Sequence, residues 1–253
     1  MAGETYTNDC IVLKKTKLGE SDLILTFLNA SGARCQAIAK GARKPQSAHS
    51  SYLELGNIVH ILFARGKKLD IITDVRLIEA HQSLSTEPLR FAVASCILEM
   101  ACKISEENLD QPRFFEMTRT AIATCEHLDD ASLIYLVSAF FLKACAMSGL
   151  CPSFAKCASC GTPQSLSPAR YEGFSFVDGG VLCEHCSHEL VHTSIQGGIL
   201  LASHALLSSR FEDIPALSLE PEHTKRTLDL ACSWVSAHLS TRIKSTDLLD
   251  LSC

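Results

Sequence analysis

The chain has 253 residues, 47% of them hydrophobic, and a formal net charge of -5, enough apolar material for a sizeable core in more than one folding unit. That charge excludes a protein that coats nucleic acid with its whole surface, yet it hides an asymmetry. Residues 1–80 hold 11 basic and 8 acidic side chains, against 12 and 20 in residues 81–253.

In chain order, the first 80 residues read as five short strands rich in Val, Ile, Leu and Thr: Asn8 to Lys17, Asp22 to Leu28, Arg34 to Lys40, Asn57 to Arg65 and Leu69 to Ile78. Gly19, the Asn29-Ala30-Ser31-Gly32 reversal and Gly66 mark the breaks between them. Between the third and fourth strands, Gly41 to Ser51 reads as a mobile basic loop ending in a short helix around Ser51 to Leu55. Five strands in so short a stretch predict a small barrel of the oligonucleotide-binding (OB) type. The cations are bunched as Lys14, Lys15 and Lys17, then Arg34, Lys40, Arg43 and Lys44, then Arg65, Lys67 and Lys68. Such clusters are the footprint of contact with phosphate backbones, or else the solvated loops of an ordinary domain. Tyr6, Phe27, Tyr52 and Phe63 are the only aromatics before residue 81, and Phe27 and Phe63 read as core. Binding is therefore expected to be led by phosphate contacts, with little base reading.

After Pro88 the period changes to that of helices, at Leu89 to Ile104, Pro112 to Glu126, Ala131 to Ser148, Ser194 to Leu207 and Glu222 to Leu239. The run from Leu133 to Leu150 is apolar enough to raise a membrane span, but Lys143 inside it and Asp129 and Asp130 before it favour a buried core helix. Interrupting these helices, Cys157-Ala158-Ser159-Cys160 and Cys183-Glu184-His185-Cys186 set two cysteine pairs in the spacing of a structural zinc site. Two residues between cysteines let one tight turn aim both sulfurs at one ion, and Gly161 suits that turn. Residues 161–182 carry too little apolar surface to fold alone, so Zn2+ is expected to staple a segment spanning 152–190. His185, His188 and His192 lie close by, but four thiolates complete a tetrahedron without them.

The other nine cysteines, among them Cys10, Cys35, Cys96, Cys102, Cys125, Cys145 and Cys232, show no paired spacing. They read as the small hydrophobes of a reducing compartment, and Met1 to Asp9 has no signal-peptide pattern, so cytoplasmic residence is expected. No Gly-x-x-x-x-Gly-Lys-Ser/Thr loop, His-Glu-x-x-His or Gly-x-Ser-x-Gly elbow occurs. A zinc deaminase would need His-x-Glu with a downstream Pro-Cys-x-x-Cys, and neither is present in that form.

Lys17-Leu18-Gly19-Glu20-Ser21-Asp22 leading into Leu23 to Leu28, then Gly32 and Ala39-Lys40-Gly41-Ala42-Arg43, resembles the start of the bacterial DNA repair protein RecO family. The helical run ending near Gly149 and Pro152, followed by paired cysteines, resembles it further, and the likeness runs from residue 8 to about 240. The resemblance implies an α+β architecture: an OB-fold DNA-binding domain at 1–80, then a helical domain at 81–253 carrying an inserted zinc ribbon. It implies a non-catalytic, cytoplasmic, nucleoid-associated mediator that binds single- and double-stranded DNA and anneals complementary strands. RecR, RecA and the C-terminal tail of single-strand-binding protein are the implied partners. The nucleic-acid residues are then Lys14, Lys15, Lys17, Arg34, Lys40, Arg43, Lys44, Lys67 and Lys68, and the metal ligands Cys157, Cys160, Cys183 and Cys186. Lys143, a cation among apolar side chains, either meets the tail's carboxylate or snorkels from a core helix. The reading from a different class is a zinc-ribbon adaptor that binds only proteins.

Overall fold

The computed structural model describes residues 4–44 and 50–249. Five strands close into a barrel in the order β1-β2-β3-β5-β4: β1 (Thr5–Leu18), β2 (Asp22–Asn29), β3 (Arg34–Ala39), β4 (Ile58–Ala64) and β5 (Asp70–Glu79). All neighbours are antiparallel except β3 and β5, which pair in parallel. Every second residue faces inward, as the pleat requires: Cys10 and Val12, Leu25 and Phe27, Ala37 and Ala39, then Val59, Ile61 and Phe63 form one buried cluster. Phe63 packs edge-on to Phe27 and stacks on Tyr6.

A second set, Ile11, Leu28 and Ile58, alternates out of phase with these residues and is equally buried. Helix α2 (Pro88–Ile104) packs against β1 and β2 and accounts for this outer apolar face. The chain consequently divides into compact units after Glu126, so the first of them holds the barrel together with α1 (Ser83–Thr86), α2 and α3 (Pro112–Cys125). Polar stitches reinforce that grouping. The Arg34 backbone N–H and Nη1 donate to the carbonyls of Glu106 and Cys102 at 3.0 Å each, and Arg119 Nε donates to Glu79 at 2.9 Å. Gly32 has φ +84°, and a Cβ there would lie 2.0 Å from the Gln111 carbonyl oxygen, so only glycine admits this approach of the β2–β3 turn to the start of α3.

The expected helix around Ser51 to Leu55 is instead a turn. Asn57 Nδ2 donates to the Ser51 and Tyr52 carbonyls while Leu53 is held in the barrel core, which bends the segment before a helix can start. Residues 45–49 of the expected mobile loop lie outside the described residues.

The second compact unit begins at His127. Its centre is α4 (Asp130–Met147), capped by Asp129, whose carboxylate accepts from the Ser132 N–H at 2.9 Å. Among the described residues α4 is the one helix long and apolar enough to cross a membrane, with mean hydropathy 1.5, but 72% of it is buried. It packs against α6 (Gly197–Ser208) and α7 (Thr224–Leu239), as a helix apolar on all sides must. Where a helix was expected from Ser194, a short strand β8 (Thr193–Gln196) comes first and α6 starts at Gly197. β8 joins β6 (Tyr171–Ser175) and β7 (Gly180–Leu182) in a sheet ordered β7-β6-β8. This segment has more core than its composition promised. Phe174 is fully buried, stacks on Phe154 and meets Trp234 of α7 edge-on, while Trp234 Nε1 donates to the Leu150 carbonyl at 2.9 Å.

Candidate nucleic-acid interface and metal centre

The bunched cations separate into two groups on the barrel. Register sets Lys17 opposite Leu23 and Leu23 opposite Ala39, so the end of β1, the start of β2 and the end of β3 lie side by side. The loop after β3 is then stapled to the β1–β2 turn. Gly41 N–H donates to Asp22 Oδ1 at 2.8 Å, Arg43 N–H to the Ser21 carbonyl at 2.9 Å, and Arg43 Nη1 to the Gly19 carbonyl at 2.9 Å. Asp22 organises this loop. The Gly41 N–H first, then the Ser21 hydroxyl, hold its carboxyl below the usual range, with Lys40 and Lys44 adding to the effect. Lys17, Lys40, Arg43 and Lys44 are exposed around it, while Lys14, opposite Thr26, is exposed farther along β1. Lys15 is already neutralised by Glu54 at 2.5 Å.

The other group sits at the β4–β5 turn. Lys67 and Lys68 are exposed, and Arg65 lies 4.3 Å over the Tyr6 ring while reaching Asp70 at 3.5 Å. Tyr6 donates to Asp70 at 2.6 Å, and its hydroxyl is pushed up by burial and then by that bond. The adjoining cavity of about 430 Å³ is lined by Arg34, Arg65 and Lys68 but equally by Asp70, Glu107 and Asp110. Cations and carboxylates therefore share the wall of that cavity. Arg34 ties the barrel to the α2–α3 connection, a role that sequence reasoning missed because its carbonyl partner is 68 residues away. Asp22 was missed too, although Ser21-Asp22 beside Gly19 is a recognisable turn signal.

In the second unit, the Sγ atoms of Cys157, Cys160, Cys183 and Cys186 all lie within 4.8 Å of one another, with Cys160 and Cys183 at 3.7 Å. Four sulfurs around one zinc ion at ~2.3 Å stand about 3.8 Å apart, so the donor set fits a tetrahedral metal. Two knuckles create it. Gly161, at φ +77°, donates to the Cys157 carbonyl at 2.9 Å, and Cys157 N–H donates to Thr162 at 2.8 Å. β7 delivers Cys183 to the start of α5 (Glu184–Glu189), whose first turn carries Cys186. Ala158 N–H joins the knuckles by donating to the Val181 carbonyl at 2.8 Å. The Thr162 hydroxyl and N–H hold the Cys160 thiol down to about 6, whereas Cys186 is pushed up to about 12 by its hydrogen bond with Cys183. Crowded thiols that cannot all ionise alone are what a divalent ion resolves. His185, His188 and His192 are exposed and stand outside the cluster.

Lys143 is half-buried on α4, where its Nζ donates to the Leu207 carbonyl at 2.7 Å and lies 5.7 Å from the Phe211 ring centre. Burial pulls its pKa down. Its ammonium is thus engaged within its own unit, capping the last turn of α6.

The chain thus combines an OB-type barrel bearing a cationic loop with helices that carry a four-cysteine cluster, and the family models it matches place it among proteins of DNA recombination and repair. The chain belongs to the recombination protein O family: the N-terminal family model matches residues 1–81 and the C-terminal one residues 85–247. It is similar to proteins named DNA repair protein RecO. The one from Dehalococcoides mccartyi is 31% identical over 214 residues, covering 83% of this chain and 80% of that one. The one from Frankia casuarinae is 28% identical over 247 residues, 97% and 98% of the two chains. The one from Thermoanaerobacter sp. is 26% identical over 243 residues, 96% of each.

Proposed function

We propose that this chain is a non-catalytic recombination mediator in the bacterial cytoplasm. It binds single- and double-stranded DNA, anneals complementary strands, and acts with RecR to place RecA on strands coated by single-strand-binding protein, whose C-terminal tail the helical unit contacts. The observation that carries the DNA reading is the convergence of Lys17 at the end of β1 with Lys40, Arg43 and Lys44 of the loop stapled through Asp22. Two strands repel through their phosphates, and a cationic loop tied to the β1–β2 turn lowers that repulsion by displacing counterions while bases pair. No bond is made or broken in that process. Zn2+ in the four-cysteine site is the structural cofactor of the reading, because four protein thiolates leave no open position for substrate.

Annealing of complementary oligonucleotides, bare and coated, at two salt concentrations tests this. Salt-sensitive acceleration that survives coating is expected. Replacing Lys40, Arg43 and Lys44 by alanine is expected to flatten the slope of log K against log salt by about 2 on single strands. An unchanged slope removes this loop from the interface. Tyr171, Val177 and Val191, respectively 64%, 89% and 89% exposed on the cysteine-bearing segment, favour a second reading as a protein adaptor. On that reading neither oligonucleotide binding nor annealing occurs at either salt.

A further inference from the structure

Asp22 is an anion in the middle of the cations assigned to DNA. It opens β2, half-buried, and the Gly41 N–H, the Ser21 hydroxyl and then Lys40 and Lys44 hold its carboxyl ionised, below the usual range. Charge alone makes such a group a liability, because a carboxylate beside a bound phosphate repels it. Its bonds give it another role. Oδ1 accepts from the Gly41 N–H at 2.8 Å and from the Ser21 hydroxyl at 2.8 Å, so one oxygen joins the β1–β2 turn to the loop after β3.

The strap falls where the loop has least order of its own. Gly41 has φ +66°, and the Cβ it lacks would meet nothing closer than the Lys44 stem at 3.7 Å, so glycine serves there for backbone freedom and not for space. Left unfixed, a loop with that freedom would have to be ordered at each binding event. Held at Gly41, and again where the Arg43 N–H donates to the Ser21 carbonyl, it keeps Lys40, Arg43 and Lys44 beside Lys17 before any strand arrives. The barrel repeats the device at its other basic turn. Asp70 opens β5, and its Oδ1 accepts from the Gly66 N–H at 3.0 Å just ahead of Lys67 and Lys68.

We propose that Asp22 is a positioning residue for DNA binding: through Oδ1 it fixes the cationic loop in its binding arrangement in the free protein, and this gain outweighs the repulsion of its charge. The role rests on the DNA reading given above. A positioning residue and a phosphate contact leave different signatures. Losing a cation flattens log K against log salt, whereas losing prior order lowers K by one factor at every salt and leaves the slope as it was.

Two variants separate the acceptor from the charge. Asn keeps Oδ1 as a carbonyl acceptor and Ala removes it, while both remove the same negative charge. With oligothymidylate as the probe, Asp22→Ala is expected to bind about fivefold more weakly than Asp22→Asn, the two salt lines running parallel. Amide exchange at Gly41 and Arg43 is expected to be slow in wild type and in Asp22→Asn and fast in Asp22→Ala, with β1 to β5 slow in all three. Equal affinity of the two variants, or tighter binding by Asp22→Ala, overturns the proposal. So does a flattened slope in Asp22→Ala, since phosphate contacts and not prior order would then have been lost. If Asp22→Ala does not fold, wild type decides: fast exchange at Gly41 and Arg43 overturns the proposal, because a loop that is loose in the free protein is not held by Asp22. A wild type that binds no oligonucleotide overturns the DNA reading and this role with it, whereas a wild type that binds, with the two variants equal, overturns this role alone.

Discussion

The barrel and the cysteine-bearing segment are both small β-structures, but different forces hold them. In the barrel, Leu25, Phe27, Val59, Ile61 and Phe63 bury a continuous interior and α2 covers Ile11 and Leu28 from outside, so its core is apolar and needs no metal to close. In the segment, β7 has three residues and β8 four, too short to hold a sheet by themselves. Four clustered thiols and the Phe154-Phe174-Trp234 contact complete the job. Order that depends on the proposed zinc can be lost without the rest of the protein, whereas order that depends on a shared core cannot.

Metal removal separates the two most sharply. Structural zinc contributes an apparent ~10–16 kcal/mol in zinc-finger peptides, all of it available as folding energy. Chelation, or Cys160→Ser, is expected to expose Cys157 and Cys186 to alkylation and speed amide exchange across 152–190, while exchange in β1–β5 stays slow. Elemental analysis showing no bound metal, with exchange unaffected by chelator, would sink the zinc assignment.

The reciprocal cut is Phe63→Ala. Phe63 is 1% exposed between Tyr6 and Phe27, and its truncation is expected to cost about 3–5 kcal/mol through lost contacts and a residual cavity. Urea unfolding followed by exchange should show the loss in residues 4–126, with bound zinc unchanged. A loss shared equally by the cysteine-bearing segment would mean that the two regions are not independent.

These differences also govern what could be read in advance. The five strands were legible to within three residues because β-branched runs and Gly or Asn turns report a barrel directly. The cysteine spacing likewise announced the four-thiol cluster. β6 to β8 were not legible, since strands of three to five residues are too short to show a hydrophobic period. Nor was the grouping of α2 and α3 with the barrel, although the unbroken apolar run Ile11-Val12-Leu13 carries the mark of a strand buried on both faces. Among the cations, sequence identified charge but not its cancellation. Lys15 beside Glu54 and Arg34 under the Cys102 carbonyl look as free as Lys40 until their distant partners are placed.

Lys143 gives the smallest expected effect and the finest test of the second unit's core. Its ammonium holds the Leu207 carbonyl, and burial alone lowers its pKa. Methionine keeps the length and apolar stem while removing the charge, so Lys143→Met is expected to cost no more than about 1 kcal/mol at pH 7, water taking over the half-buried Leu207 carbonyl. The pH dependence says more. With its folded pKa below the ordinary ~10.4, the unfolded chain binds more protons between the two values. Wild-type stability should therefore gain over that window as pH rises, and Lys143→Met should lack the gain. Urea melts at pH 7 and pH 10 measure the difference, and parallel curves would place the ammonium in water. Lys143 as a docking group for a partner's terminal carboxylate predicts something else: weaker binding of an acidic, apolar-ended peptide by Lys143→Met at pH 7. A variant that loses the pH-dependent gain yet keeps the peptide assigns Lys143 to the core, as the partner of α6 and not of another protein.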